Sequence, residues 1–198
     1  MTEYEKEVRK AGLTEQTNWM TFAAKIDSMN KELERDLGLM NMRRECISKY
    51  GFAILTEKAL RAVKKYAPIV EIGAGTGYWA YEFQKREIDY IATEPYPNGF
   101  HFNHSKLWVK MKKMTGVKAA RKYPDRTLLM CWPSYDERWP ARAIKAYEGN
   151  QLIYVGEGRG GCTGDDRFHE LLDSWDLKET INIPQWIGIH DRIEVFER

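Results

Sequence analysis

The pattern of apolar and polar positions changes near residue 50. Before it, apolar residues recur at offsets of three and four, as is typical of an amphipathic helix; they are Trp19, Phe22, Ala23, Ile26, Met29, Leu33 and Leu37. Thr14 suits the beginning of this helix and Gly38 suits its end. The pattern therefore predicts a helical prefix over residues 1–49, docked on the chain that follows.

After residue 50, helical segments alternate with short apolar runs. Strands are predicted near 69–72, 89–93, 127–131, 151–155, 177–183 and 191–196, and helices near 56–66, 77–86, 138–147 and 165–174. Such alternation is typical of a parallel sheet with helices on both faces and all strand ends at one edge. The last two strands are joined by too few residues for a crossover helix, so the last strand is expected to be antiparallel. The prediction is an α/β fold over residues 50–198: a Rossmann-like doubly wound sheet, mostly parallel.

A glycine-rich loop follows the first strand and opens a helix, in the run Glu71-Ile72-Gly73-Ala74-Gly75-Thr76-Gly77. Glycine lets a backbone approach a ligand, whose polar groups then meet free N–H donors at the helix N-terminus. Tyr78 stands where a dinucleotide fingerprint needs glycine or alanine, and the chain has no Gly-Lys-Ser/Thr tripeptide of a P-loop. The loop therefore argues against a dinucleotide-binding site and against a P-loop.

The ExGxGxG form resembles motif I of class I S-adenosylmethionine-dependent methyltransferases. The resemblance implies S-adenosylmethionine as the cofactor, held by Glu71, Gly73, Gly75 and Gly77, with a second acid at the end of the next strand taking both ribose hydroxyls. Glu94 stands at that place, and a carboxylate offers two acceptor oxygens to a diol. The alternative is that the glycines only shape a turn and that Glu94 is a solvated loop acid.

The run Cys131-Trp132-Pro133-Ser134-Tyr135 follows the next strand. Amino-methyltransferases that act on nucleobases carry Asp/Asn/Ser-Pro-Pro-Tyr at this place. Trp132 cannot accept a hydrogen bond from a target amine, whereas Pro133 and Tyr135 suit a clamp on a flat substrate. The other interpretation is a rigid loop with Trp132 in the core.

Two polar loops near the carboxyl terminus supply further candidates. Asp165 and Asp166 precede a helix, which favours a capping role, and His169 is one turn further in. His190 lies in the loop between the last two strands. Because strand ends meet at one edge, these residues also suit a catalytic role. His190 or His169 would remove a proton from the methyl acceptor, Asp165 or Asp166 would orient that histidine, and Tyr135 would line the acceptor pocket.

A wider resemblance covers residues 50–198. The segments YGFAILTEKAL, VEIGAGTGYWA, GxGGCTGDDxFHxLL and PxWxGxHD are similar to those of a set of short class I methyltransferase-like proteins. That set has Trp-Pro-Pro-Tyr, so Ser134 is a departure. The resemblance implies the fold and the cofactor and supplies no substrate; Tyr50 and Phe52 are expected to cover the methionine end of the cofactor, with Trp132 among its contacts.

Composition and charge narrow the class of protein. The chain has 198 residues, 43% of them hydrophobic and 30% charged, with a net charge of +2, which indicates a globular protein. It opens on mixed acids and bases and has no run long and apolar enough to span a bilayer, so a cytoplasmic protein without membrane contact is expected. The three cysteines are widely spaced and predict neither disulfides nor a metal site.

The small net charge is a cancellation between two parts of the chain. Lys106 to Arg126 holds eight basic residues against Asp125 alone, a charge of +7, and the remainder carries −5. This segment is either a solvated surface or a strip that contacts nucleic-acid phosphates, with Trp108 and Tyr123 available for stacking.

The sequence therefore predicts an S-adenosylmethionine-dependent methyltransferase with a planar or phosphate-bearing acceptor, either a small molecule or a nucleotide-like one. One alternative is a non-catalytic module with the same fold that binds the cofactor or a partner. Another is a protein that uses the cofactor for chemistry other than methylation.

Overall fold

The computed structural model describes residues 1–14, 29–97 and 106–198, with residues 29–37 described by their backbone. The stripe residues from Trp19 to Ile26 lie outside the described residues, as do residues 15–28, on which the predicted helix start at Thr14 depends. Met29, Leu33 and Leu37 lie in a helix over Met29–Tyr50, as predicted.

Seven strands form one sheet, in the order β3-β2-β1-β4-β5-β7-β6. They are β1 (Ile69–Ile72), β2 (Tyr90–Glu94), β3 (Lys112–Lys113), β4 (Thr127–Cys131), β5 (Gln151–Gly156), β6 (Asp176–Asn182) and β7 (Arg192–Glu197). The pairs among β1 to β5 are parallel, and β7 is antiparallel to both β5 and β6. The predicted antiparallel last strand is confirmed.

Helices cover both faces of the sheet. In the described ranges they are α1 (Glu3–Lys10), α2 (Met29–Tyr50), α3 (Glu57–Val63), α4 (Tyr78–Gln84), α5 (Gly116–Lys122), α6 (Trp139–Ala146) and α7 (Asp166–Leu172). Within β4, Leu129 belongs to the core shared with α1 to α4, whereas Leu128 and Met130 belong to the core shared with α5 to α7. Since side chains alternate along a strand, one strand serves both cores, and the doubly wound Rossmann-like arrangement is confirmed.

The amino-terminal helix α1 docks on the sheet domain through buried polar contacts. The Tyr4 amide donates to the Tyr78 hydroxyl at 3.1 Å, and the Trp186 indole donates to the Tyr4 hydroxyl at 3.2 Å. The Thr2 side chain accepts from the amide of Glu5, which begins the helix. These contacts join segments far apart in sequence, as the predicted docking of the prefix requires.

Two local predictions were wrong. The helix expected to end at Gly38 continues as α2 to Tyr50; Gly38 is exposed, and the cost of a glycine in a helix, about 1 kcal/mol, is small beside the helix-forming residues that follow it. The strand β3 was missed, since Lys112 and Lys113 carry no apolar alternation. No helix within the described ranges is long and apolar enough to cross a bilayer.

Candidate functional site

A cleft of about 310 Å³ opens at the carboxyl ends of β1, β2 and β4. The chain leaves β1 toward β2 on one side and later places β4 on the other, and ligands of open α/β sheets bind where the strand order reverses in this way. The lining residues are Tyr50, Gly51, Phe52, Glu71, Gly73, Ala74, Gly75, Thr76, Trp79, Glu94, Pro95, Tyr96, Thr115, Gly116, Val117, Cys131, Trp132, Ser134, Glu137 and Trp139.

The glycine loop forms the floor of the cleft between β1 and α4. Gly73 and Gly75 line it with φ angles of 71° and 54°, a left-handed region that disfavours residues with a Cβ. The third glycine, Gly77, has a φ of 73° and caps α4 without lining the cleft. A Cβ at Gly77 would lie 2.9 Å from the side chain of Val109, so this glycine serves packing.

Glu94 ends β2 beside the glycine loop, where the sequence predicts it. One carboxylate oxygen, Oε2, accepts from the Gly75 amide at 3.2 Å, and Oε1 accepts from the Tyr96 amide at 3.1 Å. Each oxygen has a second lone pair. Among the described residues these two amides are the hydrogen-bond donors to Glu94, which leaves one lone pair on each oxygen of a side chain that lines the cleft.

Glu71 is a buried acid that lines the same cleft, with 2% of its surface exposed. Its Oε2 atom has no hydrogen-bond partner among the described residues. Burial raises the pKa of Glu71 to about 8; the neighbouring Tyr90 hydroxyl opposes this rise, and the nearby Glu94 charge adds to it. A buried carboxyl oxygen without a partner is costly, and a ligand donor in the cleft would satisfy it.

Two stacked aromatic rings form another wall. The rings of Phe52 and Trp132 are 4.8 Å apart and nearly parallel. Trp132 has a φ of 52°, and its indole N–H donates to Oδ2 of Asp191 at 2.9 Å. Asp191 is buried, and burial followed by the charge of Glu157 raises its pKa to about 7. Trp132 is thus held as a flat apolar surface. It neither accepts a hydrogen bond from a substrate amine nor is fully buried in the core.

Tyr50, which is predicted to cover the methionine end of the cofactor, lies between the cleft and the amino-terminal helix. Tyr50 stacks on Tyr4 at 4.8 Å and on Trp108 at 5.6 Å, and its hydroxyl donates to Glu7 at 2.6 Å. Burial and this hydrogen bond raise the pKa of Tyr50. Trp108 is likewise occupied: its ring stacks on Tyr50, and Lys106 Nζ lies 3.3 Å from its ring centroid. The expectation that this ring is available to stack on a ligand is therefore not met.

The predicted catalytic residues lie outside the cleft lining. Asp165 caps α7 by accepting from the Phe168 amide at 2.9 Å, as the capping interpretation expects, and Asp166 is exposed in the first turn. His169 is buried, with Nε2 at 2.9 Å from the Thr163 carbonyl oxygen. Tyr135 is 57% exposed. Asp165 and His169 therefore make local hydrogen bonds, whereas Asp166 and Tyr135 lie at the surface.

His190 is anchored by its backbone and has a largely exposed side chain. Its amide donates to Oε1 of the buried Glu157 at 2.8 Å, and its Nδ1 lies 3.7 Å from the same oxygen. The other oxygen of Glu157 accepts from the Cys162 amide at 2.8 Å. Glu157 thereby joins the loop that follows β5 to the loop that precedes β7. In the strand order, β5 and β7 lie beyond β4 from β1 and β2.

Several cleft residues were missed by the sequence reasoning. Ser134 and Glu137 follow β4 in the same loop as Trp132, and their position just after a strand end is the signal that would have found them. Thr115, Gly116 and Val117 precede or begin α5 and carried no recognisable motif. Within the described residues, no group of three or more His, Cys, Asp and Glu side chains is placed to hold a metal ion.

Solved structures resemble this chain at low identity. The magnesium protoporphyrin IX methyltransferase of Synechocystis PCC 6803, solved with bound SAM, is 10% identical over 100% of this chain and 98% of that one, with a TM-score of 0.47. The 1,6-didemethyltoxoflavin-N1-methyltransferase of Burkholderia thailandensis, solved with its namesake compound and S-adenosylhomocysteine, is 13% identical over 87% and 92%, with a TM-score of 0.45.

A protein of Listeria monocytogenes serotype 4b is 14% identical over 72% of this chain and 68% of that one, with a TM-score of 0.47. No protein-family model matches the chain, and no curated protein matches it. At these identities and TM-scores the likeness assigns neither an activity nor a substrate to this chain.

Proposed function

We propose that the cleft binds S-adenosylmethionine and that the protein is a methyltransferase. The observation that carries this proposal is Glu94, whose two carboxylate oxygens are fixed by backbone amides beside the glycine loop. The remaining lone pairs suit the two hydroxyls of a ribose. The predicted cofactor contacts that line the cleft around it are Tyr50, Phe52, Glu71, Gly73, Gly75 and Trp132.

The residues of the cleft fit this cofactor in charge as well as in hydrogen bonding. Glu71 presents a buried acceptor atom without a partner, which suits an ammonium or N–H donor. Glu94 and Glu137 give the lining an acidic character that attracts a cation. Bound S-adenosylmethionine supplies a methyl group on a sulfonium whose thioether is a good leaving group.

The methyl acceptor is assigned to the side of the cleft formed by the loop after β4. Phe52 and Trp132 provide a flat apolar wall there, and a planar acceptor would stack on it. Ser134 and Glu137 are polar lining residues of the same loop. Glu137 is the lining carboxylate away from the glycine loop, so it takes the role of proton acceptor; His169 and His190 are not among the lining residues.

The transfer reaction itself is the test. The purified protein is incubated with methyl-labelled S-adenosylmethionine and separated RNA, protein and small-molecule fractions of a cell extract. We expect label in one fraction together with an equal amount of S-adenosylhomocysteine. Glu137→Gln should lower kcat by about a hundredfold or more, the usual contribution of a general base, with an unchanged cofactor Kd.

Glu148→Gln is the matched control, since Glu148 is exposed and outside the cleft lining, and it should leave kcat unchanged. Cofactor binding without label in any fraction would support the non-catalytic binding module instead. Full activity in Glu137→Gln would remove this residue from the mechanism while leaving the cofactor site in place.

A further inference from the structure

A basic strip covers one edge of the sheet. It is made of β3, α5 and the segment that precedes them, and its members are Lys106, Lys110, Lys112, Lys113, Lys118, Arg121 and Lys122, all exposed. No carboxylate among the described residues lies within ion-pair distance of any of them, whereas Arg126, at the end of the same segment, pairs with Asp89 at 2.8 Å. Seven like charges without carboxylate partners repel one another, so this surface is suited to an anionic ligand.

The strip is continuous with the cleft. Lys112 and Lys113 are in register with Thr93 and Glu94 of the neighbouring strand β2. Between Lys113 and Lys118, the chain contributes Thr115, Gly116 and Val117 to the cleft lining. An extended anion that follows the strip therefore reaches the mouth of the cleft, on the side where α5 begins.

An aromatic ring lies within the strip. Tyr123 is half-buried, and its hydroxyl accepts from Lys112 Nζ at 3.1 Å. The ammonium groups of Lys112 and Lys122 lie 5.3 and 5.6 Å from its ring centroid. A partly exposed ring flanked by cations suits a nucleotide, whose base stacks while its phosphate pairs with the ammonium groups.

We propose that the basic strip binds the phosphate backbone of a single-stranded nucleic acid and directs the strand toward the cleft. A single strand is favoured over a duplex because Tyr123 can stack only on an unpaired base. The binding itself does not depend on the proposed function. That the bound strand carries the methyl acceptor rests on it.

The test is fluorescence anisotropy of the full chain with a labelled single-stranded RNA of about 20 nucleotides, longer than the usual site of about 4–16. A single-stranded DNA of the same sequence distinguishes the two nucleic acids. Affinity should fall steeply between about 50 and 200 mM salt. The triple variant Lys112→Gln, Lys113→Gln, Lys118→Gln should bind about tenfold or more weakly, with a log–log salt slope smaller by about 2, because each phosphate contact contributes about 0.7.

The matched control is Lys58→Gln, Lys64→Gln, Lys65→Gln, which removes the same charge from α3 and the turn after it, on another face. An equal loss in both triple variants would show a response to net charge alone and would overturn the assignment of the strip. Tyr123→Leu should weaken RNA binding about fivefold or more without changing heparin binding; unchanged RNA affinity would overturn the single-strand assignment.

Two other outcomes would also overturn the proposal. One is absent RNA and DNA binding, and the other is tight binding to phosphatidylserine vesicles with no nucleic-acid binding. A calorimetric titration of the strip variant with S-adenosylmethionine separates the two proposals. A strip variant that loses RNA binding and still binds the cofactor supports both proposals. A wild-type chain that binds RNA but no cofactor refutes the proposed function alone.

Discussion

Two buried carboxyl groups beside the cleft lack a full set of hydrogen-bond partners. Within the described chain, Glu71 leaves Oε2 unpaired and Asp191 leaves Oδ1 unpaired. Burial raises their pKa values to about 8 and about 7. The two differ in position, because Glu71 lines the cleft whereas Asp191 sits behind Trp132. A hydrogen-bond donor on a ligand in the cleft would therefore pair with Glu71. Asp191 affects the cleft only by positioning the Trp132 indole.

The raised pKa of Glu71 makes stability depend on pH. The folded chain binds this proton more tightly than the unfolded chain, whose ordinary value is 4.5, so the stabilising contribution is present below pH 4.5 and is lost as the pH rises toward about 8. We expect the free energy of unfolding of the wild type to fall across this window relative to Glu71→Gln, by at most about 1.4 kcal/mol per pH unit. Urea unfolding at the two ends of the window measures the difference, with Glu148→Gln as control; a wild-type-to-variant difference that is equal at both ends would contradict it.

The glycine-loop side of the cleft was predictable from sequence, and the side formed by the loop after β4 was predictable only in part. Glu71, Gly73 and Gly75 belong to one strand, loop and helix, and Glu94 is brought beside them by the parallel pairing of β1 with β2. The rule that strand ends share one edge does not say how far apart they lie. His190 contacts Glu157 beyond β4, so its position at the carboxyl edge of the sheet does not make it a lining residue of the cleft.

At the scale of elements, α1 is a structural part of the sheet domain. Tyr4 is fully buried and contacts Tyr50, Tyr78 and Trp186, three residues from separate segments. Its ring stacks behind Tyr50, which lines the cleft. The helical pattern of the prefix predicted that it docks, but the partners of Tyr4 could not be read from sequence, since they are set by packing between segments that no local period relates.

Removing the Tyr4 side chain should destabilise the protein strongly. We expect Tyr4→Ala to lower the free energy of unfolding by about 3–5 kcal/mol, as for other buried aromatic truncations, and Tyr4→Phe by about 1 kcal/mol, the value of a single hydrogen bond. Urea denaturation measures both. Tyr135→Ala is the control, because Tyr135 is 57% exposed and should change stability by less than about 0.5 kcal/mol; equal effects of Tyr4→Ala and Tyr135→Ala would show that α1 does not dock as described.

Over the whole molecule, the basic strip adjoins the cleft at the β3 edge of the sheet. β2 ends at Glu94, and the neighbouring strand, β3, carries Lys112 and Lys113 of the strip. The charge segregation was visible in the sequence as +7 against −5, but its place depended on β3, which has only two residues and no apolar pattern. The insertion of β7 between β5 and β6 was likewise unpredictable beyond its direction, because strand neighbours are set by long-range pairing.

The measurement that tests the cofactor site most directly is a calorimetric titration of the full chain with S-adenosylmethionine, repeated on Glu94→Gln and Glu148→Gln. We predict saturable binding at one site in the wild type and in Glu148→Gln. Binding by Glu94→Gln should be weaker by about tenfold or more, the value of one hydrogen bond to a charged group. No heat from the folded wild type at millimolar ligand, or equal affinity in Glu94→Gln, would contradict the assignment of the cleft.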